Sequence, residues 1–316
     1  MHNFRTGTIA LATLAAAMLA MAPPPAEAQQ KTSIRVVYIP VITWLPALVA
    51  KDDGIFEKHG LDIAFTKAAT TVNLPAALGK QFDIVPTTAP DLLNAAANGL
   101  NIAAVAGETV ETSHNKSYQV MVRADSGIKT YKDLVGKRVL GPGVGSVMHV
   151  ALLYAIKKQG GDPSKVIGLE APFPAMADQL KAGRVDAVEQ LEPFVGGMLA
   201  GGFKTLGAPL LEVADPVLFP FWIADATWAR AHRDVLKKWV ASLEDGLKVI
   251  KTDEKHARAV LAKYSGLPQK IVDRIPLPAY DFKITTAQLA VWQKVMVEQG
   301  YPVGKLDLNK IVVTGE

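Results

Sequence analysis

Residues 82–106 read FDIVPTTAPDLLNAAANGLNIAAVA, and this stretch decides the fold class. A mainly apolar stretch over 82–85, interrupted by Asp83, stops at Pro86, as a strand does where the chain must turn. Thr87-Thr88-Ala89-Pro90 follows, a hydroxyl–proline combination that starts helices. Residues 91–98 carry a helical pattern, and Gly99 supplies a C-terminal stop. A second apolar run then covers 102–106. Strand, helix and strand in so short a span form a crossover unit, and crossover units build parallel sheets.

The same alternation extends in both directions. Upstream, a strand over 34–38 stops at Pro40, a helix over 45–53 ends at Gly54, a strictly alternating strand covers 61–65, and a short helix covers 74–79. Downstream, strands are predicted at 118–122, 138–140, 165–167 and 185–188. Between them fall a short helix at 131–134, a helix opened by Ser146 and running to about Lys158, and a helix over 175–182 ended by Gly183. The expectation is an α/β protein with two lobes, each a mostly parallel sheet flanked by helices. From residue 229 the pattern turns helical. Val235, Leu236, Trp239, Val240, Leu243, Leu247 and Ile250 form one stripe, and further helices are predicted over 254–264, 269–274 and 285–299. No Gly/Ser- or Pro-rich linker sets this tail apart, so it is expected to pack back on the first lobe.

The chain's start predicts its compartment. Arg5 precedes an apolar run over 9–22, prolines follow at 23–25, and Ala26-Glu27-Ala28 has the small-x-small form read by signal peptidases. A cleaved signal peptide over 1–28 and a periplasmic location are therefore expected. The run is shorter than the ~20 apolar residues a spanning helix needs. With no cysteine among 316 residues, disulfides, thiolate metal sites and lipid attachment at cysteine are excluded. The net charge of +4 is spread over interleaved acids and bases, which argues against a nucleic-acid partner. The six histidines include no i, i+4 pair and no His-Glu-x-x-His run, so no metal and no cofactor is expected.

Enzyme signatures are equally absent. There is no GxSxG elbow and no phosphate loop ending in GK[ST]. In Gly141-Pro142-Gly143-Val144-Gly145 the third glycine comes one residue too early for a dinucleotide fingerprint. Ser146 with His149 suggests a nucleophile pair, but a capping serine without a dedicated base is a poor nucleophile. The expected class is a binding protein, not an enzyme.

Four blocks in register carry a family likeness. Residues 122–139 read VRADSGIKTYKDLVGKRV. Around them lie Gly54-Ile55-Phe56-Glu57-Lys58-His59-Gly60-Leu61-Asp62, then Gly79-Lys80-Gln81-Phe82-Asp83-Ile84, and finally Ala182-Gly183-Arg184-Val185-Asp186-Ala187 with Glu192-Pro193-Phe194. The ordered set resembles the type II periplasmic substrate-binding proteins of ABC importers, in the nitrate/sulfonate/taurine branch that includes thiamine-precursor binders. The resemblance implies two lobes closing like a clamp: 33–117 plus 219–316, and 118–218, joined by two crossing strands near 117–123 and 216–223. It also implies a small-molecule ligand, an inner-membrane permease as partner and a monomer. A small organic anion, sulfonate or carboxylate in type, is the expected cargo. Alternatives are a thiamine-precursor pyrimidine, or a sensing role with a membrane receptor as partner.

Ligands in open α/β sheets sit beyond the carboxyl ends of strands, where helix starts point at them. On that rule the candidate ligand-binding residues are Thr43 and Trp44, Thr87 and Thr88, Gly145, Ser146, Val147 and His149, and Glu192. Hydroxyls at helix starts are also ordinary caps. Glu192 would orient a ligand amine or amide, or hold a lobe contact. Phe221, with Phe219 and Trp222, either walls the ligand body or packs beneath the crossing.

Overall fold

The computed structural model describes residues 31–68, 71 and 74–316; the expected signal segment, residues 1–28, lies outside them. Along the chain, β1 (Thr32–Tyr38) leads to α1 (Leu45–Asp52) and α2 (Ile55–Lys58), and β2 (Leu61–Lys67) to α3 (Leu74–Ala77). Next come β3 (Ile84–Thr87), α4 (Ala89–Ala97), β4 (Ile102–Gly107) and the short β5 (Thr109–Glu111). A second series contains β6 (Tyr118–Val122), β7 (Arg138–Gly141), α5 (Val147–Lys158), β8 (Ile167–Glu170), α6 (Phe173–Lys181), β9 (Ala187–Leu191), α7 (Phe194–Ala200), β10 (Lys204–Gly207) and α8 (Leu210–Val213). The chain returns through β11 (Val217–Leu218) and β12 (Phe221–Asp225). It ends in α9 (Ala226–Ala231), α10 (Arg233–Thr252), α11 (Glu254–Ser265), α12 (Gln269–Val272), β13 (Ala279–Tyr280) and α13 (Thr286–Glu298).

Two five-stranded sheets result. The first has the order β2-β1-β3-β12-β4, with β1, β2 and β3 parallel and β12 antiparallel between β3 and β4. Every residue of β3 and β4 is buried, as for strands covered on both faces. The second sheet has the order β10-β6-β9-β7-β8, with β7, β8 and β9 parallel and β6 antiparallel to both its neighbours. Each sheet is therefore mostly parallel, as the alternation predicts. The first is completed only when the chain returns as β12.

A third, antiparallel sheet of β11, β5 and β13 spans the joint between the other two. Its two-residue outer strands leave too little pattern to read from sequence. The outward crossing comes between β5 and β6, ahead of the expected 117–123, because Tyr118–Val122 is an interior strand of the second sheet.

The helical tail packs chiefly on the first sheet's helices. Val235, Leu236, Trp239, Leu243 and Ile250 are buried along α10. Gly246 lets that helix approach α1 so closely that a Cβ would overlap the carbonyl oxygen of Pro46. The single helix expected from residue 229 is two helices, because the Asp225 side chain caps an earlier start at Trp228 N (2.9 Å) and the chain bends at His232. At the far end, Gln299 Nε2 donates to Val150 O of α5 (3.1 Å), so the tail also touches the second sheet's helices. Thr32–Glu316 forms one compact unit, and among the described residues no helix is long and apolar enough to cross a membrane.

Candidate functional site

A cavity of about 950 Å³ lies between the two sheets. Its walls are the segments that follow strand carboxyl ends. Ile39, Pro40, Val41, Thr43 and Trp44 follow β1, Lys67, Ala68 and Thr71 come at and after the end of β2, and Thr88 and Asp91 follow β3. The opposite wall has Pro142, Ser146, Val147 and Met148 after β7, residues from Glu170 to Pro174 at the end of β8, and Leu191 and Phe194 at the end of β9. Phe219 and Pro220 close the side where the chain crosses back. This is the place that open α/β sheets reserve for ligands, and the volume is at the upper end of the ~300–1,000 Å³ usual for small-molecule sites.

The lining is mostly apolar, and its aromatic parts are firmly held. Trp44 packs edge-on against Trp222 (4.5 Å between centroids), Trp222 against Trp239 (5.1 Å), and Trp239 stacks on Phe56 (5.0 Å). Trp222 also donates its indole N–H to the buried Glu108. On the other wall Phe173 and Phe194 lie nearly parallel, 6.4 Å apart. An apolar or aromatic ligand body would meet fixed surfaces on both sides.

Among the described lining residues the charges are Lys67, Asp91 and Glu170. Glu170 is committed to its own wall, since Oε1 accepts from the Val144 N–H (2.6 Å) in the glycine-rich turn. Asp91 Oδ2 accepts from the hydroxyls of Thr88 (2.8 Å) and Thr71 (3.2 Å). Burial pushes the Asp91 carboxyl above its ordinary range, and the two hydroxyl donors only partly oppose this.

Five of the ten sequence-derived candidates line the cavity: Thr43, Trp44, Thr88, Ser146 and Val147. Ser146 caps α5 by accepting from the His149 N–H (3.3 Å), which leaves its hydroxyl proton free to point outward. The other five lie outside the lining. Thr87 is the last residue of β3, paired with Phe221, and its buried hydroxyl has no partner among the described residues. Phe221 is wholly buried in β12, so of the three aromatics at the crossing Phe219 faces the cavity while Phe221 and Trp222 are core. Gly145 shapes the turn with φ +91°.

His149 turns inward, with Nδ1 2.9 Å from Oε1 of the buried Glu189. Burial opposes the charged imidazole, but the hydrogen bond and charge of Glu189 prevail and raise its pKa. Glu192 is nearly buried, and its Oε2 accepts from Gly196 N (3.2 Å). Burial raises its pKa against that bond. Among the described residues no cluster of His, Cys, Asp or Glu could hold a metal.

Lys67, Thr71, Asp91, Glu170, Phe173 and Phe194 were not singled out by sequence. The signal for Lys67 and Glu170 was the strand-end rule itself, applied to strands read as ending too early. β2 runs to Lys67 and β8 to Glu170, beyond the 65 and 167 expected, because both strands end in exposed residues without an apolar run.

Comparison with known proteins agrees with this architecture. No curated protein matches the sequence. Among solved structures, the periplasmic aliphatic sulphonate binding protein of Escherichia coli superposes with a TM-score of 0.76 at 21% identity, over 89% of this chain and 97% of that one. The alkanesulfonate-binding protein of Xanthomonas axonopodis pv. citri, bound to MOPS, gives 0.71 at 21% identity, over 90% and 97%. The periplasmic nitrate-binding protein of Synechocystis PCC 6803 gives 0.73 at 14% identity, over 90% and 86%. The fold is thus that of the type II periplasmic binding proteins. The pattern of one sequence family, described as NMT1/THI5 like, matches residues 42–257, most of the chain, and the protein belongs to that NMT1/THI5-like family.

Proposed function

We propose that the protein is the periplasmic solute-binding component of an ABC importer and captures a small organic anion with an apolar or aromatic body between its two sheets. The cavity carries this reading. Both walls are strand-end segments of separate sheets, so a ligand touching both would favour the closed arrangement over an open one. The body would lie among Trp44, Phe173, Phe194 and Phe219. The anionic group would take the Thr43 and Ser146 hydroxyls and the start of α5 at Val147, with Lys67 as the lining's cation. The names of the solved neighbours, which bind sulfonates and nitrate, support an anionic cargo.

No chemical step is proposed. The buried His149–Glu189 pair lies outside the lining, and among the described residues the one hydrogen bond of the Ser146 hydroxyl is the cap it accepts from His149 N–H. A second reading, a thiamine-precursor pyrimidine, is favoured by one observation: the lining contains a carboxylate acceptor, Asp91, that an aminopyrimidine would satisfy.

A thermal-shift panel tests the proposal, with alkane- and arenesulfonates, aliphatic and aromatic carboxylates, nitrate and aminopyrimidines. A ligand at ~100 times its Kd should stabilise the fold by about 2.7 kcal/mol. Thr43→Val combined with Ser146→Ala should then weaken an organic anion by roughly tenfold or more. Stabilisation by pyrimidines alone would replace the anion reading with the second one. Unchanged affinity in the double variant would remove both hydroxyls from the site.

A further inference from the structure

A second cavity, of about 460 Å³, lies where α10, α11 and the approach to β13 meet, and shares no lining residue with the cavity between the sheets. The chain makes it by turning sharply. Asp253 alone separates α10 from α11, and its φ of −141° breaks the helix. Its N–H donates to Val249 O (2.7 Å) and its carboxylate accepts from His256 N–H (3.0 Å), so both helices pin the corner. Residues 277–280 close the space beside it, and the joint holds them in turn. Ala279 and Tyr280 pair with β5, Asn115 Nδ2 donates to Leu277 O, and the Tyr280 hydroxyl donates to Ile42 O (2.7 Å). The walls are therefore set before any ligand arrives, and the volume falls in the ~300–1,000 Å³ usual for small-molecule sites.

The lining joins an apolar floor to one unmatched charge. Ile250 is buried, and Leu247, Leu277, Pro278 and Tyr280 are half-buried around it. Glu254 is matched, because its Oε1 accepts from Arg258 Nε (2.7 Å) and that guanidinium is fixed further on Val272 O. Lys251, exposed in the last turn of α10, has no ion pair among the described residues. A lysine at a helix end is ordinary. Lys251 differs in bordering a preformed apolar hollow of ligand size, where its stem can lie on the floor and its ammonium stay at the rim.

We propose that this cavity is a second binding site, and that it takes a small amphiphilic anion of the alkyl-carboxylate type. The chain of the ligand lies against Leu247, Ile250 and Tyr280, and its head pairs with Lys251. Burial of the alkyl chain supplies the affinity, and the unmatched ammonium supplies the choice of head group. A cationic amphiphile would set its charge against Lys251, while Glu254 is already engaged by Arg258. The site stands apart from the cavity between the sheets and does not depend on what that cavity binds.

The test uses octanoate and octylammonium, which share a chain and differ in the sign of the head. Hydrogen–deuterium exchange of the purified protein locates each probe, and titration followed by exchange at the protected segments gives its affinity. Octanoate should slow exchange over residues 247–254 and 277–280, and should bind there about fivefold tighter or more than octylammonium. Lys251→Met keeps most of the apolar stem and should erase that preference, and Lys251→Glu should reverse it. Position 251 is exposed, so both variants should fold as the wild type does. Protection confined to the segments of the other cavity, at 43–44 and 146–148, overturns the inference. So do equal binding of the two probes, a preference for octanoate that survives Lys251→Glu, and no protection by either probe. Each of these outcomes leaves the solute-binding reading intact.

Discussion

Arg35 and Asp83 in the first sheet, and Arg138 and Asp186 in the second, are each separated by 48 residues and make nearly the same contacts. In each pair the arginine backbone N–H donates to the aspartate (2.8 Å). The guanidinium also reaches that carboxylate and a carbonyl of the preceding turn, Lys80 O (2.9 Å) or Gly183 O (3.0 Å). Both aspartates directly precede the third parallel strand of their sheet, at the end away from the cavity. At the cavity end the likeness stops. The first wall rests on the aromatic chain Trp44–Trp222–Trp239–Phe56 and carries the hydroxyl-held Asp91. The second rests on the buried pair His149–Glu189 under a glycine-rich turn, and its outer strand β8 is exposed along most of its length. The non-cavity ends register strands and are built alike, whereas the cavity ends are not.

The largest test of this asymmetry is Trp239→Ala. Trp239 is fully buried and links α10 to the residues behind Trp44, so the first wall should lose its backing. Chemical denaturation should show a loss of about 3–5 kcal/mol. Ligand affinity should fall with it, even at temperatures where the protein stays folded. A stability loss with affinity intact would separate the aromatic chain from the site.

The joint between the two sheets gives the next effect. Glu111, at the end of β5, accepts from the backbone N–H and the hydroxyl of Ser117 at the entry to β6. Burial raises its pKa from 4.5 to about 7, with the Ser117 bonds opposing. The folded state therefore binds this proton more tightly than the unfolded chain. The stabilisation is fully present below about pH 4.5 and is lost as pH rises through 7, a change of about 3 kcal/mol by linkage. Glu111→Gln should flatten stability across that window and match or exceed the wild type at pH 8. An identical pH profile in the variant would place the buried proton elsewhere.

The smallest effect probes the shared element. Arg35→Ala and Arg138→Ala remove half-exposed guanidinium groups, so each should lower stability only slightly, and the two losses should agree. A clear inequality in paired denaturation curves would show that the resemblance of the two sheets is geometric without being energetic.

What was legible follows from where the signal lay. β4 reads as an apolar run because it is covered on both faces, and Ser146 reads as a cap because α5 needs one. The stripe of α10 likewise marks the face laid on α1. Strand ends were the weak point. β2 and β8 run past the expected 65 and 167, so their true ends, at Lys67 and Glu170, were not among the strand ends searched for a site. Asp91 read only as the first residue of a helical pattern, because its contact with Thr71 spans 20 residues. His149 and Glu192 stood on segments that do reach the cavity, but their side chains turn to partners behind the wall.

By itself the sequence determined the α/β class and the main alternation of strands and helices over residues 34–188, and with it the strand ends at which open α/β sheets take ligands. Those follow from local periodicity and from the geometry of crossover connections. Tertiary structure alone decided that β12 returns to finish the first sheet and that three short strands close the joint. It also decided which side chains at the right strand ends face the cavity. The physical reason is that a side chain's direction depends on competing partners distant in sequence: Glu189 draws His149 inward, and Asp91 takes the proton that Thr88 would otherwise offer a ligand.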